Sequence, residues 1–273
     1  MSISYSRSRT CSKMAKLLKE ANRIITLWRS HGPNTPKLDL EAVFRDIVLP
    51  SSNGDKCIIV HERFDSFEGL MARKIGSREW RIGVSTNIAY GPRRNFTLAH
   101  EIGHFIGHRY EQNVFECTFD NINNFQVAGF EKEANEFASH LLMPADVLRL
   151  FDHEREFCHS AISELASMFG VSRAAAAYRW VQLTNRHIGF AISRDGYFNQ
   201  GRASDKLYSR GVFFKQGQEV PTESLITKLS EEGQELNAIV DKAVWHELMP
   251  CRESSFATTQ GGFVYTYLDF DRC

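Results

Sequence analysis

Residues 93–108 read RRNFTLAHEIGHFIGH, and the fold turns on the five at its centre, His100-Glu101-Ile102-Gly103-His104. Pro92 opens this stretch, whose apolar residues recur at helical spacing. On an α-helix, residues four apart sit about 40° round and about 6 Å along, so the two histidine rings can converge on one ion. Glu101 follows about 100° round from His100, beside that ion, where it can hold and deprotonate a water. Three other His-Glu pairs begin at His61, His153 and His246, and none has a histidine four residues on.

A catalytic zinc takes three protein ligands and keeps one position open, so a further donor is required downstream. The segment 131–144, EKEANEFASHLLMP, is predicted to be a second long helix ended by Pro144. Glu131 and Asn135 share one face of it. Glu131 is the expected third ligand, and Asn135 the group that hydrogen-bonds a histidine ligand and fixes its tautomer. Glu133, about 200° from Glu131, is expected to be solvated or paired with a neighbour. His108 lies about 12 Å along the helix from His100, too far to share the ion, and is expected on the helix surface or at the core edge. A third histidine ten residues after the first would mark a metzincin, but that position is Tyr110. Tyr90, Tyr110, His140 and Tyr178 are eligible types for stabilising an oxyanion, and nothing chooses between them.

Outward from these helices the chain looks like an ordinary globular protein. At 273 residues it can bury a real core, and 42% apolar and 24% charged residues argue against disorder. Thirty-three basic residues balance thirty-three acidic ones, which leaves no overall field to attract nucleic acid or an anionic membrane. No signal peptide or membrane span is evident, and the six cysteines (11, 57, 117, 158, 251, 273) are scattered without a close pair. Reduced thiols and a cytoplasmic location are expected, each thiol being read as a small buried or surface group.

Residues 12–29 read as a basic amphipathic helix that docks one face, and Asp39 as the cap of a short helix, LEAVFRDI. KCIIVHERF, EGLMARKI and EWRIGVST are predicted strands of an antiparallel meander, followed, after the HEIGH helix, by a polar loop over about 111–129. Two helical segments flank FGVS within ISELASMFGVSRAAAAYRWVQL, in the manner of a helix-turn-helix. After residue 186, short β runs suggest a small α+β domain.

RRNFTLAHEIGHFIGH followed by EKEANEFASHLLMP resembles the ImmA/IrrE family of metallopeptidases, over about residues 14–186. The resemblance implies a gluzincin-like zinc endopeptidase that cleaves a helix-turn-helix repressor encoded nearby and so relieves repression. It gives the same assignment as the geometry: Zn2+ on His100, His104 and Glu131, with Glu101 as base. The expected class is α+β, with a zincin-like helical core and small antiparallel sheet (residues 10–150), a helix-turn-helix-like segment (151–186) and a C-terminal α+β domain (187–273) that is sensory or regulatory. Two other classes compete. One is a non-proteolytic metal-binding or antitoxin-like scaffold; the other is a DNA-binding regulator acting through FGVS. The second is disfavoured because Arg173, Arg179 and Arg186 are a thin phosphate-gripping face.

Overall fold

The computed structural model describes residues 3–33, 35–118, 129–259 and 261–272, with side chains from residue 13 onward. The chain forms two compact units, Met1–Pro144 with Met168–Ser172, and Ala145–Ser167 with Arg173–Cys273. Eight helices and two sheets among the described residues make it an α+β protein.

In the first unit, α1 (Ile3–His31) buries Leu17, Ala21, Ile24, Ile25 and Trp28, the apolar stripe of the amphipathic pattern. Asp39 caps α2 (Leu40–Val43) by accepting from the Ala42 N–H at 3.1 Å, and the helix continues as a π turn, Phe44–Val48. The three predicted strands form as β1 (Lys56–Glu62), β2 (Gly69–Arg73) and β3 (Glu79–Ser85). Their order corrects the meander. β1 runs parallel to β3, and β2 lies between β3 and a fourth strand, β4 (Val114–Cys117), antiparallel to both. The sheet is therefore mixed. β3, buried at five of its seven positions, takes the centre, and the most buried of the three predicted strands rather than the first in sequence organises the pairing. β4 falls within the segment expected to be loop.

The helix α3 (Gly91–Gly107) packs one face on β2 and β3 and the other on α4 (Gly129–Leu142), which also meets α1. Nine consecutive residues, Thr97–Phe105, are buried as a result. Phe105 anchors the sheet side, edge-on to Phe44 and Trp80 at centroid distances of 5.2 and 6.4 Å. On the α4 side the approach is close because residue 103 is glycine: a Cβ there would meet Phe137 Cδ1 at 3.0 Å and Ala134 Cα at 3.3 Å. The far end of α3 is pinned by a buried Asp55, which accepts from Arg109 Nε at 2.9 Å and Tyr110 Oη at 2.7 Å.

In the second unit, α5 (Ala145–Glu154), α6 (His159–Phe169, to Ser167), α7 (Arg173–Leu183) and α8 (Asp205–Ser209) accompany a five-stranded antiparallel sheet. Its order is β6-β5-β9-β8-β7, from Tyr197–Ala203, Ile188–Arg194, Phe263–Asp269, Cys251–Ala257 and Glu235–Val240. Phe157, Trp180, Phe190 and Tyr267 make an aromatic core. The three arginines weighed for DNA contact are engaged within this unit. Arg179 is buried, Arg186 pairs with Asp152 and Asp269, and Arg173 lies 5.2 Å from the Phe256 ring centre.

Candidate metal centre

The buried stretch of α3 carries three ionisable side chains, and burial without partners would be costly for each. The structure supplies partners of a particular kind. His100 and His104 bring their Nε2 atoms to 3.0 Å from one another, with their rings 4.7 Å apart and nearly perpendicular. Glu131, on the first turn of α4, places Oε2 at 3.3 Å from His100 Nε2 and Oε1 at 3.3 Å from His104 Nε2. The residues singled out from helical spacing on two separate helices are thus brought together.

The opposite edges of the two rings fix what the inner nitrogens can do. His100 Nδ1 is 2.8 Å from Asn135 Oδ1, an acceptor, so Nδ1 carries the proton. His104 Nδ1 is 3.0 Å from His108 Nδ1, and His108 Nε2 is 2.9 Å from Glu133 Oε2. Glu133 accepts the Nε2 proton of His108, whose Nδ1 then accepts the Nδ1 proton of His104. Both inner Nε2 atoms are left as bare lone pairs facing each other and a carboxylate. That arrangement is repulsive without a cation, and a divalent ion is the group it fits.

Electrostatics agree. Burial lowers the His104 pKa to about 3, which keeps the ring neutral. Burial pushes Glu131 upward, but the edges of the His100 and His104 rings that face it outweigh this and hold the carboxyl well below its usual range. Phe115 of β4 lies 4.4 Å from the His104 ring, and Phe130 lies 4.8 Å from that of His108, so the outer rings sit against an apolar wall.

Residues 57–181 match the family model of the IrrE N-terminal-like domain, a peptidase family. The likeness to IrrE N-terminal-like domains thus spans a little under half of the chain. No curated protein matches the chain. The matched span includes α3 and α4 and therefore every group described above, and the likeness suggests a metallopeptidase-type function.

Within the matched span Glu101 is wholly buried, and neither carboxylate oxygen has a hydrogen-bond partner of normal geometry among the described residues. Burial raises its pKa to about 7, against downward pulls from His100 and the Cys117 thiol. This is the range in which a carboxylate can both take and return a proton at neutral pH.

Other participants were only partly legible in the sequence. Glu133 is paired with a neighbour, one of the two outcomes expected of it, and that neighbour is His108, which is fully buried as the C-cap of α3 rather than at the helix surface or core edge. Cys117, read as an ordinary thiol, stands with the cluster: ligating atoms of His100, His104, Cys117 and Glu131 lie within 4.8 Å of one another. Its signal was the alternation Val114-Phe115-Glu116-Cys117, which turns Phe115 and Cys117 to the same buried face. Of the oxyanion candidates in this unit, Tyr110 donates to Asp55, His140 faces Asn22 at 2.9 Å, and Tyr90 is 55% exposed.

Proposed function

We propose that the protein is a zinc endopeptidase that hydrolyses a peptide bond in a partner protein. The observation that carries this reading is the pair of bare Nε2 atoms facing the Glu131 carboxylate at 3.3 Å. His100, His104 and Glu131 would hold the ion, and a mixed nitrogen and oxygen donor set suits zinc. Bound zinc supplies Lewis acidity, acidifying a water and polarising the scissile carbonyl. Glu101 takes the proton of the attacking water on a carboxylate oxygen and returns it to the leaving amine. Asn135 and the Glu133–His108 pair keep both histidines in the tautomer that presents Nε2.

The substrate class we favour is a helix-turn-helix repressor encoded nearby, on the strength of the family resemblance. The described residues hold no helix long and apolar enough to cross a membrane, and we assign the enzyme to the cytoplasm, where such a repressor works. The C-terminal α+β domain, residues 187–273, is the candidate for sensing and regulation.

The test is to incubate the zinc-loaded full chain with the repressor encoded beside its gene and look for fragments by mass spectrometry. Cleavage should stop with a chelator and resume with added zinc. An intact repressor in the presence of metal-loaded protein overturns the reading.

A further inference from the structure

The HEIGH and EKEAN helices account for three donors, yet four converge. Cys117 is the last residue of β4 and is wholly buried. Its position is fixed by the ladder: it pairs with Gly69 across β2–β4, and its carbonyl accepts from the Glu68 N–H at 2.9 Å. That register directs its thiol at the metal cluster rather than into the hydrocarbon core, where Cys57 of the same sheet lies. A second observation points the same way. The Glu101 carboxylate, buried and without a hydrogen bond of normal geometry, borders the same space, so the thiol faces a polar ligand pocket and not an apolar one.

Donor atoms about 2.0–2.3 Å from a shared zinc ion lie no more than roughly 4.5 Å apart, close to the spread of these four. Catalytic zinc sites present three protein ligands and an open position, whereas four ligands close the site. We propose that Cys117 is a fourth protein ligand, so that the resting domain holds a closed two-histidine, glutamate and cysteine centre, and that peptide hydrolysis begins only when Cys117 leaves it. This rests on the metal reading above.

On ligation the S–H bond breaks, its proton passes to solvent, and a sulfur lone pair forms the metal–sulfur bond, with no change in oxidation state. Release reverses this: the sulfur leaves, regains a proton from solvent, and vacates the position a water needs. The strand that carries Cys117 is suited to the movement. β4 is four residues long and, among the described residues, pairs only with β2, so it can shift without breaking the β1–β3 pairing.

Cobalt substitution of the full chain tests the proposal. The cobalt-loaded protein should show a near-ultraviolet thiolate-to-cobalt charge-transfer band beside its visible d–d bands, and Cys117→Ala should lose the first and keep the second. The zinc K-edge spectrum of the unaltered protein should contain one sulfur at about 2.3 Å, a measurement that decides the matter even if the variant fails to fold. Visible bands without charge transfer, or a shell of nitrogen and oxygen alone, overturn the ligand role and leave the zinc peptidase reading intact. Failure to take up either metal overturns both. Repressor cleavage by Cys117→Ala should exceed that of the unaltered protein, and equal or lower cleavage overturns the latency.

Discussion

Gly69 on β2 lies directly against the carboxylate of Glu101: a Cβ at residue 69 would meet Oε1 at 2.1 Å and the Thr97 methyl at 3.0 Å. The strand thus acts as a floor under the candidate base, and only glycine leaves room for it. Gly69→Ala should push the Glu101 side chain from its place while sparing His100, His104 and Glu131. We expect zinc content near one per chain, stability lower by about 1–3 kcal/mol from overpacking, and repressor cleavage strongly reduced. Metal analysis, thermal unfolding and a cleavage assay on one preparation separate these effects. Undiminished cleavage would show that Glu101 does not act from this position.

Glu101→Gln keeps the volume and removes the titrating group. Cleavage should fall by roughly 10²–10⁴-fold, the usual contribution of a positioned acid–base group, with zinc retained. Stability at neutral pH should not fall. The folded protein raises the Glu101 pKa to about 7, so a negative charge at this site opposes folding above the ordinary carboxylate range, and Gln carries none. A lower melting temperature together with zinc loss would instead assign Glu101 to holding the cluster.

Glu133 and His108 set the tautomer of His104 through two hydrogen bonds of 2.9 and 3.0 Å. Glu133→Ala frees the His108 ring to turn or change tautomer, and His104 no longer has a fixed acceptor for its Nδ1 proton. Zinc affinity should drop about 10–100-fold, as read by competition with a chromophoric chelator. Affinity equal to that of the unaltered chain would reduce the pair to core packing.

The contrast between these residues shows what a sequence can disclose. His100, Glu101 and His104 were legible because a helix converts a spacing of four into a shared face, and Glu131 with Asn135 because the same rule applies to α4. Glu133 was half legible by that rule, which allowed a paired neighbour without naming it. It does point away from Glu131 on its own helix, but α3 runs alongside, and His108 waits one turn beyond His104 to receive it. The first three strands were readable from their β-branched and aromatic residues between short turns, whereas β4 and the neighbour order were not, since pairing depends on which strand the core buries most. Gly69 and Cys117 were hidden for that reason. Each gains its meaning from the β2–β4 register and from the height of α3 above it, and neither is encoded within a few residues.

Asp55 gives a prediction away from the chemistry. Burial pushes its carboxyl up, but hydrogen bonds from Arg78, Tyr110 and Arg109 outweigh this and hold the pKa at about 2, below the ordinary aspartate value of about 3.9. A carboxyl with a depressed folded-state pKa contributes stability that is complete above the unfolded value and is lost as pH falls through the folded one. The window is therefore about pH 4 down to 2, and the contribution roughly 2 kcal/mol. Asp55→Asn removes it and leaves Arg109 buried without its counter-charge, so the unfolding free energy extracted from urea titration at pH 7 should fall by at least that amount. The gap between the two proteins should narrow as the pH approaches 2, because protonation there does to the parent what the substitution did to the variant. Since Asp55 ties the end of α3 to the turn before β1, the variant should also bind zinc less tightly at pH 7. Parallel urea titrations at pH 7, 4 and 2.5 check the sign, and a gap that widens toward low pH would contradict the assignment of Asp55 as the charged anchor of the HEIGH helix.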